Sequence, residues 1–269
     1  MDKKLKIIVV GATGKMGQTL INEIVSDESL HLVGAVDHPN CSNIGRDAGE
    51  KLGLQTNVNI SAEIEKITKA DVLIDFTRPE ASIDYLNFCI KSNTSYVLGT
   101  TGFNEEQKKI IKNASEKIAI CFAPNMSVGV NLLIALVEQA ASILENDFDI
   151  EIIEAHHRYK VDAPSGTALR LGEAVAQATK RNLKQNGVFH REGNMPPRNI
   201  SDIGFSTIRG GDIVGDHTVL FAGEGERIEL THKASNRSTF AKGALRASKF
   251  ISKYDHGLFD MADVLAIRK

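Results

Sequence analysis

A short apolar run that leads into three evenly spaced glycines constrains the fold of this chain more than any other feature. Residues Ile7 to Val10 are apolar and β-branched, and Gly11, Gly14 and Gly17 follow at three-residue spacing. An apolar helical pattern comes next, so the order is strand, tight turn, helix. Glycines in such a turn let the backbone approach a pyrophosphate, and the helix N-terminus offers oriented N–H groups. The turn therefore predicts a dinucleotide site.

An acidic residue stands where the ribose of a dinucleotide is usually bound. A second apolar strand, predicted over Leu32 to Val36, ends in Asp37 at the spacing from the glycines that suits a ribose contact. Because Asp37 would repel a 2′-phosphate and His38 replaces the Arg that commonly binds one, NADH is favoured. Lys15 or Arg46 could still swing toward a 2′-phosphate. We therefore predict NADH use, with NADPH also accepted.

Three further segments repeat the pattern of a short apolar strand followed by small or polar residues. They are Asp71 to Thr77, Tyr96 to Gly102 and Ile118 to Asn125, with amphipathic stretches between them. This alternation predicts an α/β fold with a Rossmann-type, doubly wound parallel sheet. Ligands bind at the carboxyl ends of the strands in such sheets. The segments predicted to reach the crevice are Asp75 to Arg78, Gly99 to Gly102 and Ala123 to Met126.

The pattern changes after Asn125. The predicted elements are a helix at Val128 to Leu144, a strand at Phe148 to Glu154, a helix at Ser165 to Lys180, strands at Ile203 to Ile208, Ile213 to Ala222 and Arg227 to His232, and a helix at Ser238 to Lys253. Successive strands without helices between them suggest antiparallel pairing. We predict a smaller α+β domain with a mixed, largely antiparallel sheet over residues 128–237. The last helix returns to the first domain, which comprises residues 1–127 and 238–269.

The stretch from Glu154 to Ala168 concentrates groups suited to acid–base chemistry. His156 and Lys160 are close enough in sequence for one short loop to aim both at the same small molecule. An imidazole titrates near neutral pH and can donate a proton. Pro164 stops any helix upstream, and Ser165 to Thr167 then open a helix-patterned run whose first N–H groups suit a carboxylate. The sequence therefore predicts an active site here.

Simpler interpretations of this stretch exist. A lone His is commonly a satisfied polar residue, and Ser-Gly-Thr before a helix is commonly only a cap. The adjacent His156 and His157 could instead bind a metal, with Asp162, Glu154 or His190 completing the set. No spacing here matches a common zinc pattern such as His-Glu-x-x-His. We predict no metal site.

Charge and composition restrict the partners and the compartment. The chain has 269 residues, and 32 Lys and Arg against 34 Asp and Glu give a net charge of −2. Bulk charge therefore attracts neither nucleic acid nor an anionic membrane, and we predict neither as a partner. No apolar run has the length of a transmembrane helix. Cys41, Cys89 and Cys121 are odd in number and widely spaced, which favours reduced thiols and a cytoplasmic location.

Several motifs together resemble the dihydrodipicolinate reductase family of the diaminopimelate and lysine biosynthetic pathway. They are Gly11 to Gly17, Asp75 to Pro79, Gly99 to Phe103, Asn125 to Asn131, Glu154 to Ala168 and Gly210 to His217. The resemblance spans essentially the whole chain, and its most specific part is the core His-His-x-x-Lys-x-Asp-Ala-Pro-Ser-Gly-Thr. It implies that a small dicarboxylate, 4-hydroxy-tetrahydrodipicolinate, is reduced to tetrahydrodipicolinate with NADH or NADPH.

The resemblance also implies roles for individual residues. His156 is implied as the proton donor, Lys160 as its catalytic partner and His157 as a substrate contact. The residues implied to bind a substrate carboxylate are Ser165, Gly166 and Thr167. The implied cofactor contacts are Gly11, Ala12, Thr13, Gly14, Lys15, Met16, Asp37, Gly99, Thr100, Thr101, Ala123, Pro124, Asn125 and Met126. The family forms homotetramers through the second domain, and the same is expected here.

Two rival functions have to be considered. An aldehyde-oxidising dehydrogenase of the same architecture could use Cys121 as a nucleophile, although a place inside a strand is poor for attack. A nucleotide sensor without catalysis could retain the Rossmann half alone. Such a sensor would not need His156, Lys160 and the Ser165 to Thr167 turn together, and measurable cofactor oxidation would exclude it.

Overall fold

The computed structural model describes residues 4–67, 69–145 and 147–267. Two units can be separated within the chain: the first contains residues up to Val128 and from Arg237 onward, and the second contains Gly129–Asn236. The predicted limits at 127/128 and 237/238 lie one residue from these. The second unit is thus an insertion between two pieces of the first.

Strands and helices alternate along the first piece of the first unit. Its elements are β1 (Leu5–Val10), α1 (Lys15–Val25), β2 (Leu30–Val36), β3 (Ile60–Ser61), β4 (Val72–Asp75), α2 (Pro79–Ser92), β5 (Ser95–Leu98), α3 (Glu105–Ala114) and β6 (Ala119–Phe122). Two short 3₁₀ turns also occur, at Glu50–Leu52 and Ile64–Lys66. The predicted strands are confirmed, and the residues that follow β4, β5 and β6, from Phe76, Gly99 and Ala123 onward, are loop.

The remaining elements follow in chain order. They are α4 (Val128–Leu144), β7 (Asp149–His156), α5 (Gly166–Ala178), α6 (Leu183–Asn186), β8 (Gly187–Val188), β9 (Ile203–Arg209), β10 (Gly215–Ala222), β11 (Arg227–Ala234), α7 (Ser238–Ile251), β12 (Gly257–Phe259) and α8 (Met261–Val264). The helix α4 has the predicted bounds because its apolar pattern is long and continuous.

The sheet of the first unit has the order β12-β6-β5-β4-β1-β2-β3, and all its pairings are parallel. The predicted Rossmann-type sheet is confirmed. Strand β1 lies between β2 and β4, so successive connections leave it in opposite directions. The loops that follow β1 and β4 therefore diverge at their carboxyl ends and leave the crevice in which such sheets bind ligands.

Alternation along the strands builds a core on each face of this sheet. In β1, Ile7 and Val9 pack into one buried cluster, and Ile8 and Val10 pack into another. The first cluster includes apolar residues of α1 and α7, and the second includes residues of α2 and α3. Helix α7 buries Ala241, Ala244, Ala247 and Ile251, a stripe at helical spacing. Helix α7 therefore packs in the first unit, where the sequence pattern predicts it.

The second unit has a mixed sheet with the order β11-β10-β7-β9-β8. Strand β10 pairs antiparallel with β11 and with β7, whereas β9 pairs parallel with β7 and with β8. The expectation that successive strands pair antiparallel is therefore wrong for β9 and β10, because β7 lies between them. The long connection from β7 to β9 contains α5, and a crossover of that length permits parallel pairing.

Candidate functional site

The glycine turn after β1 has the geometry that close backbone approach requires. Gly11 has a φ of +65°, a left-handed conformation that favours glycine. A Cβ on Gly17 would lie 2.2 Å from the carbonyl oxygen of Gly11, so α1 can start this close to β1 only with glycine there. The predicted contacts Gly11 to Gly14 form this turn, and Lys15 and Met16 begin α1.

The carboxylate of Asp37 holds the turn in place. Its Oδ2 accepts hydrogen bonds from the backbone N–H and the Oγ1 hydroxyl of Thr13, both at 2.7 Å. Its Oδ1 accepts a bond of 2.8 Å from the N–H of His38. Asp37 therefore joins the end of β2 to the turn after β1, a structural role that the sequence interpretation did not assign to it.

A cavity of about 780 Å³ lies against the turn. Of the predicted cofactor residues, those lining it are Gly11, Thr13, Gly14 and Asp37. His38, Arg78 and Tyr85 also line it, and Arg78 is a cation that the predicted cofactor contacts omit. Open space beside a glycine turn and an acidic strand end fits a dinucleotide.

The other predicted cofactor residues lie outside the lining of this cavity. Gly99, Thr100 and Thr101 follow β5, and Ala123 to Met126 follow β6, so both groups lie at carboxyl ends of neighbouring strands. The N–H of Ala123 donates to the carbonyl of Leu98, which ties the start of the loop after β6 to the end of β5. Their contact with a cofactor stays a prediction.

A buried carboxylate organises these strand ends. Asp75 is fully buried, and its Oδ1 accepts bonds from the N–H and hydroxyl of Thr77 at 2.7 and 2.6 Å and from Thr100 Oγ1 at 3.2 Å. Its Oδ2 accepts a bond of 2.5 Å from the hydroxyl of Tyr96. The Tyr96 hydroxyl also contacts the carbonyl of Ser82 at 3.1 Å. Asp75 thus fixes the loops after β4 and β5, and sequence reasoning missed Tyr96.

In the second unit, β7 carries the predicted catalytic stretch. Alternate residues of β7 are buried, and they change from Ile150 and Ile152 to Glu154 and His156 along the strand. One face of a single strand therefore passes from apolar core to polar site. Because neighbouring strands continue this face, a polar residue opposite Glu154 must also lie in the site. Its register partner on β10 is His217, which is buried.

Glu154 is the hub of this site and is only 1% exposed. Its Oε2 lies 2.5 Å from Nδ1 of His156, and its Oε1 accepts a 3.1 Å bond from the N–H of Ser165. Arg209, at the end of β9, donates from Nη1 to Oε2 and from Nη2 to Oε1, both at 2.8 Å. Burial raises the pKa of Glu154, but the bonds from Arg209, His156 and Ser165 outweigh it and lower that pKa. The carboxylate is therefore ionised at neutral pH.

The two buried imidazoles are biased toward the neutral form. Burial lowers the pKa of His156, Lys160 and Arg209 lower it further, and the bond to Glu154 opposes them. Burial lowers the pKa of His217 to about 4, with His156 adding to the effect. The ring centroids of His156 and His217 are 5.1 Å apart in an edge-to-face arrangement.

The predicted residues after β7 lie close to this hub. Lys160 Nζ is 2.8 Å from Asp162 Oδ1, and Arg209 Nη2 donates to the carbonyl of Asp162 at 2.6 Å. Among the described residues, Nδ1 of His157 is buried and has no hydrogen-bond partner. A buried nitrogen in that condition is suited to a ligand.

The predicted turn at the start of α5 is confirmed as a helix N-terminus. Ser165 is the N-cap, and its Oγ accepts a 3.2 Å bond from the N–H of Ala168. The same Oγ is 3.0 Å from Nε2 of His217. Gly166 and Thr167 form the first turn of a 13-residue helix, where the positive end of the helix dipole favours an anion.

Sequence reasoning missed Arg209 and His217, although both lie in the predicted site. Each is brought near Glu154 by pairing between strands that are more than fifty residues apart in the chain, β9 with β7 for Arg209 and β10 with β7 for His217. The alternation of β10, in which His217 shares a buried face with Val219 and Phe221, is a signal that could have identified His217. No comparable signal marks Arg209.

Other expectations concern metals, thiols and membranes. Within residues 4–67, 69–145 and 147–267, no group of three or more His, Cys, Asp or Glu could hold a metal ion. Cys89 and Cys121 are fully buried, and burial, with Asp260 and Asp263, raises the pKa of Cys121 to about 12. A nucleophilic role for Cys121 is therefore unsupported. In the part of the chain that is described, every helix is too short or too polar to cross a bilayer.

Two family models match the chain, one in each half. The model described as "Dihydrodipicolinate reductase, N-terminus" matches residues 5–126. The model described as "Dihydrodipicolinate reductase, C-terminus" matches residues 129–265. Together they include every residue of the two sites described above.

Similar proteins and a similar solved structure are also named as reductases. The 4-hydroxy-tetrahydrodipicolinate reductase of Nitrosomonas europaea is 53% identical over 265 residues, 98% of this chain and 99% of the relative. That of Burkholderia multivorans is also 53% identical over 265 residues, 98% of this chain and 100% of the relative. The solved structure of a dipicolinate-bound dihydrodipicolinate reductase from Paenisporosarcina sp. TG-14 has a TM-score of 0.78 and 25% identity, covering 97% of this chain and 98% of that one.

Proposed function

The chain belongs to the dihydrodipicolinate reductase family, and we propose that it catalyses the NAD(P)H-dependent reduction of 4-hydroxy-tetrahydrodipicolinate to tetrahydrodipicolinate. One observation in particular supports this proposal. A single buried carboxylate, Glu154, is bonded both to the imidazole of His156 and to the N-cap of α5 at Ser165. A group able to give a proton and a turn able to bind a carboxylate are thereby held together, as reduction of an unsaturated dicarboxylate requires.

The first unit would hold the dinucleotide. The turn from Gly11 to Met16 would contact the pyrophosphate, and Asp37 would accept a bond from the adenosine ribose. The cavity beside them and the Gly11–Gly17 approach support this fit. The bound cofactor supplies a hydride from C4 of its nicotinamide. The loops Gly99 to Thr101 and Ala123 to Met126 are proposed to complete the site.

The second unit would hold the substrate. Gly166 and Thr167 at the N-terminus of α5 would bind one carboxylate, with Ser165 supporting them as N-cap. His157 would contact the substrate through a nitrogen that is now buried and unpaired within the described structure. His156 would give a proton to the ring carbon next to the one that receives hydride, and Lys160 would assist it as a cation.

We propose that NADH is preferred and NADPH accepted. Asp37 disfavours a 2′-phosphate by charge repulsion, and its neighbour is His38. Arg78 lines the same cavity and offers a cation to either nucleotide. The test is an initial-rate comparison of NADH and NADPH, and a large preference for NADPH would contradict the assignment.

The reaction itself can be tested with substrate generated in situ by the synthase that makes it. Loss of absorbance from NADH and from NADPH is followed in parallel, with and without the synthase. Synthase-dependent oxidation supports the proposal, and its absence with both cofactors would refute it. H156Q should reduce turnover on the order of 100-fold with nucleotide affinity retained. H190Q, at an exposed histidine of the same unit, is the matched control and should keep wild-type turnover.

The second unit is also proposed to form a homotetramer. An apolar groove is lined by Leu136 and Ile143 of α4 and by Ile228 of β11, an edge strand of the sheet. Ile143 is 71% exposed, which is unusual for a large apolar side chain that stays in water. Sedimentation velocity should give four chains per particle, and I143D should give smaller ones. I110D, at an exposed isoleucine of α3, is the control; a monomeric wild-type protein would refute the assembly.

A further inference from the structure

The ion pair between Glu154 and Arg209 forms and breaks no bond in the proposed reaction. It is bidentate, with both N–O distances at 2.8 Å. Arg209 keeps 20% of its side chain exposed, whereas Glu154 is almost completely enclosed. A buried ion pair gives little net stability compared with apolar packing, so its presence here calls for another explanation.

The contacts of the pair reach three parts of the proposed site in the second unit. Glu154 is bonded to His156 and to the N-cap Ser165, and Thr207 Oγ1 donates to it at 3.3 Å. Arg209 is bonded to the carbonyl of Asp162, whose carboxylate pairs with Lys160. One pair thus joins the proton donor, the start of α5 and the lysine loop.

We propose that Glu154 and Arg209 are positioning residues for the proton transfer. Glu154 holds the ring of His156 with Nδ1–H toward the carboxylate, so that Nε2 carries the transferable proton. Arg209 holds Glu154 in its bidentate orientation and anchors the loop of Lys160. The inference rests on the proposed role of His156, but it can be tested without catalysis.

The geometry defines which nitrogen acts. A carboxylate only accepts hydrogen bonds, so the nitrogen facing it, Nδ1, must carry a proton. Nε2 lies at the other edge of the ring, where a Cβ placed on Gly215 would be 3.1 Å away. In the transfer, the Nε2–H bond of the imidazolium breaks and a C–H bond forms on the substrate. The neutral imidazole then regains its proton from water.

The charges around His156 determine how its protonation responds to a change at Glu154. Glu154 lies on the same strand, Lys160 and Asp162 follow it, Arg209 ends β9, and His217 faces it from β10. Ser165, at the start of α5, presents only a neutral hydroxyl. Glu154 is bonded to His156 directly and favours the imidazolium, whereas Lys160 and Arg209 oppose it. Loss of the Glu154 charge should therefore make His156 harder to protonate.

E154Q and R209K test the inference, and E151Q is the matched control. Glu151 lies on the same strand and forms its own bidentate pair with Arg191, without contact to His156. We expect kcat at neutral pH to fall 10- to 100-fold in E154Q. The alkaline limb of its profile of kcat against pH should move about one pH unit lower. KM for NADH should not change. The kcat of E151Q should stay within twofold of the wild-type value. R209K, which keeps the charge, should lose less of its kcat than R209M.

Titration of His156 by NMR gives a second readout that does not depend on turnover. Its pKa should be lower in E154Q than in the wild type, with near-UV circular dichroism confirming that the variant is folded. An unchanged pH profile, or an unchanged His156 pKa, would overturn the inference. If the wild type does not oxidise NAD(P)H at all, the proposed function fails, and the NMR titration still decides whether Glu154 controls His156.

Discussion

Each unit buries a carboxylate, but the two are satisfied by different donors. Asp75 in the first unit accepts from hydroxyls and one backbone N–H, and no cation contacts it among the hydrogen bonds and ion pairs of the described residues. Glu154 in the second unit accepts from a guanidinium and lies against an imidazole that can titrate. Both side chains are at most 1% exposed.

This difference in hydrogen-bond partners distinguishes a network that only supports the fold from one that can respond to protons. Neutral donors around Asp75 stay the same across the ordinary pH range, so that network can fix the loops after β4 and β5 without responding to protons. The charged partners of Glu154 make its surroundings sensitive to protonation and to the loss of either charge. We therefore expect substitutions at Asp75 to affect mainly stability and those around Glu154 to affect pH dependence as well.

The largest effect is expected from R209M. It removes the only guanidinium that contacts Glu154 in the described structure and leaves a buried carboxylate without its counterion, which costs about 4 kcal/mol of unfolding free energy. Urea denaturation measures the loss. R191M, which breaks the more exposed pair with Glu151, is the control and should cost about 1 kcal/mol or less. Equal losses in the two variants would contradict the distinction.

His217 should make stability fall as the solution is acidified. Because burial lowers its folded pKa to about 4, below the ordinary value of 6.5, the unfolded chain takes up the proton first. The stabilisation is complete above pH 6.5 and is lost as pH falls toward 4, by on the order of 3 kcal/mol. The free energy of unfolding, measured by denaturation, should differ less between pH 7 and pH 4.5 in H217Q than in the wild type. H190Q should behave as the wild type.

D75N should have a smaller effect than R209M. The amide NH2 would face the Tyr96 hydroxyl or the Thr77 N–H, which donate to the carboxylate in the wild type, so one of these bonds is lost, at a cost of about 2 kcal/mol. The loss should be the same at pH 6 and pH 8, since none of the hydrogen-bond partners of Asp75 in the described structure titrates between these values. A loss of unfolding free energy that differs between pH 6 and pH 8 would contradict the distinction between Asp75 and Glu154.

C121A should have the smallest effect on catalysis. Burial holds the pKa of this thiol at about 12, so almost none is thiolate at neutral pH. Turnover per folded enzyme should match the wild type. A loss of turnover of more than tenfold in the folded variant would support the alternative of an aldehyde-oxidising dehydrogenase.

Sequence patterns predicted the parts of this protein in which neighbouring residues carry the signal. The parallel sheet, the exact bounds of α4 and the N-cap at Ser165 all follow from local periodicity or capping. The insertion of β7 between β9 and β10 depends on pairing between distant strands, which no local pattern encodes. Strand β12, at three residues, is too short to show a period.

The same limit applies to the candidate site. The stretch from His156 to Thr167 could be identified because its groups are consecutive in the chain. Arg209 and His217 could not, because register and not spacing brings them to Glu154. The bonds between Asp37 and Thr13 were also missed, since a ribose-binding residue was expected to face a ligand and not its own turn.

The return of α7 to the first unit has a consequence for the order of folding. Ala241, Ala244, Ala247 and Ile251 pack against part of one face of the nucleotide-side sheet, yet they follow the whole second unit in the chain. The inserted unit is fully translated before that face can be closed. A chain synthesised only as far as residue 236 would therefore contain all residues of the second unit, while part of one apolar face of the Rossmann sheet was still exposed to water.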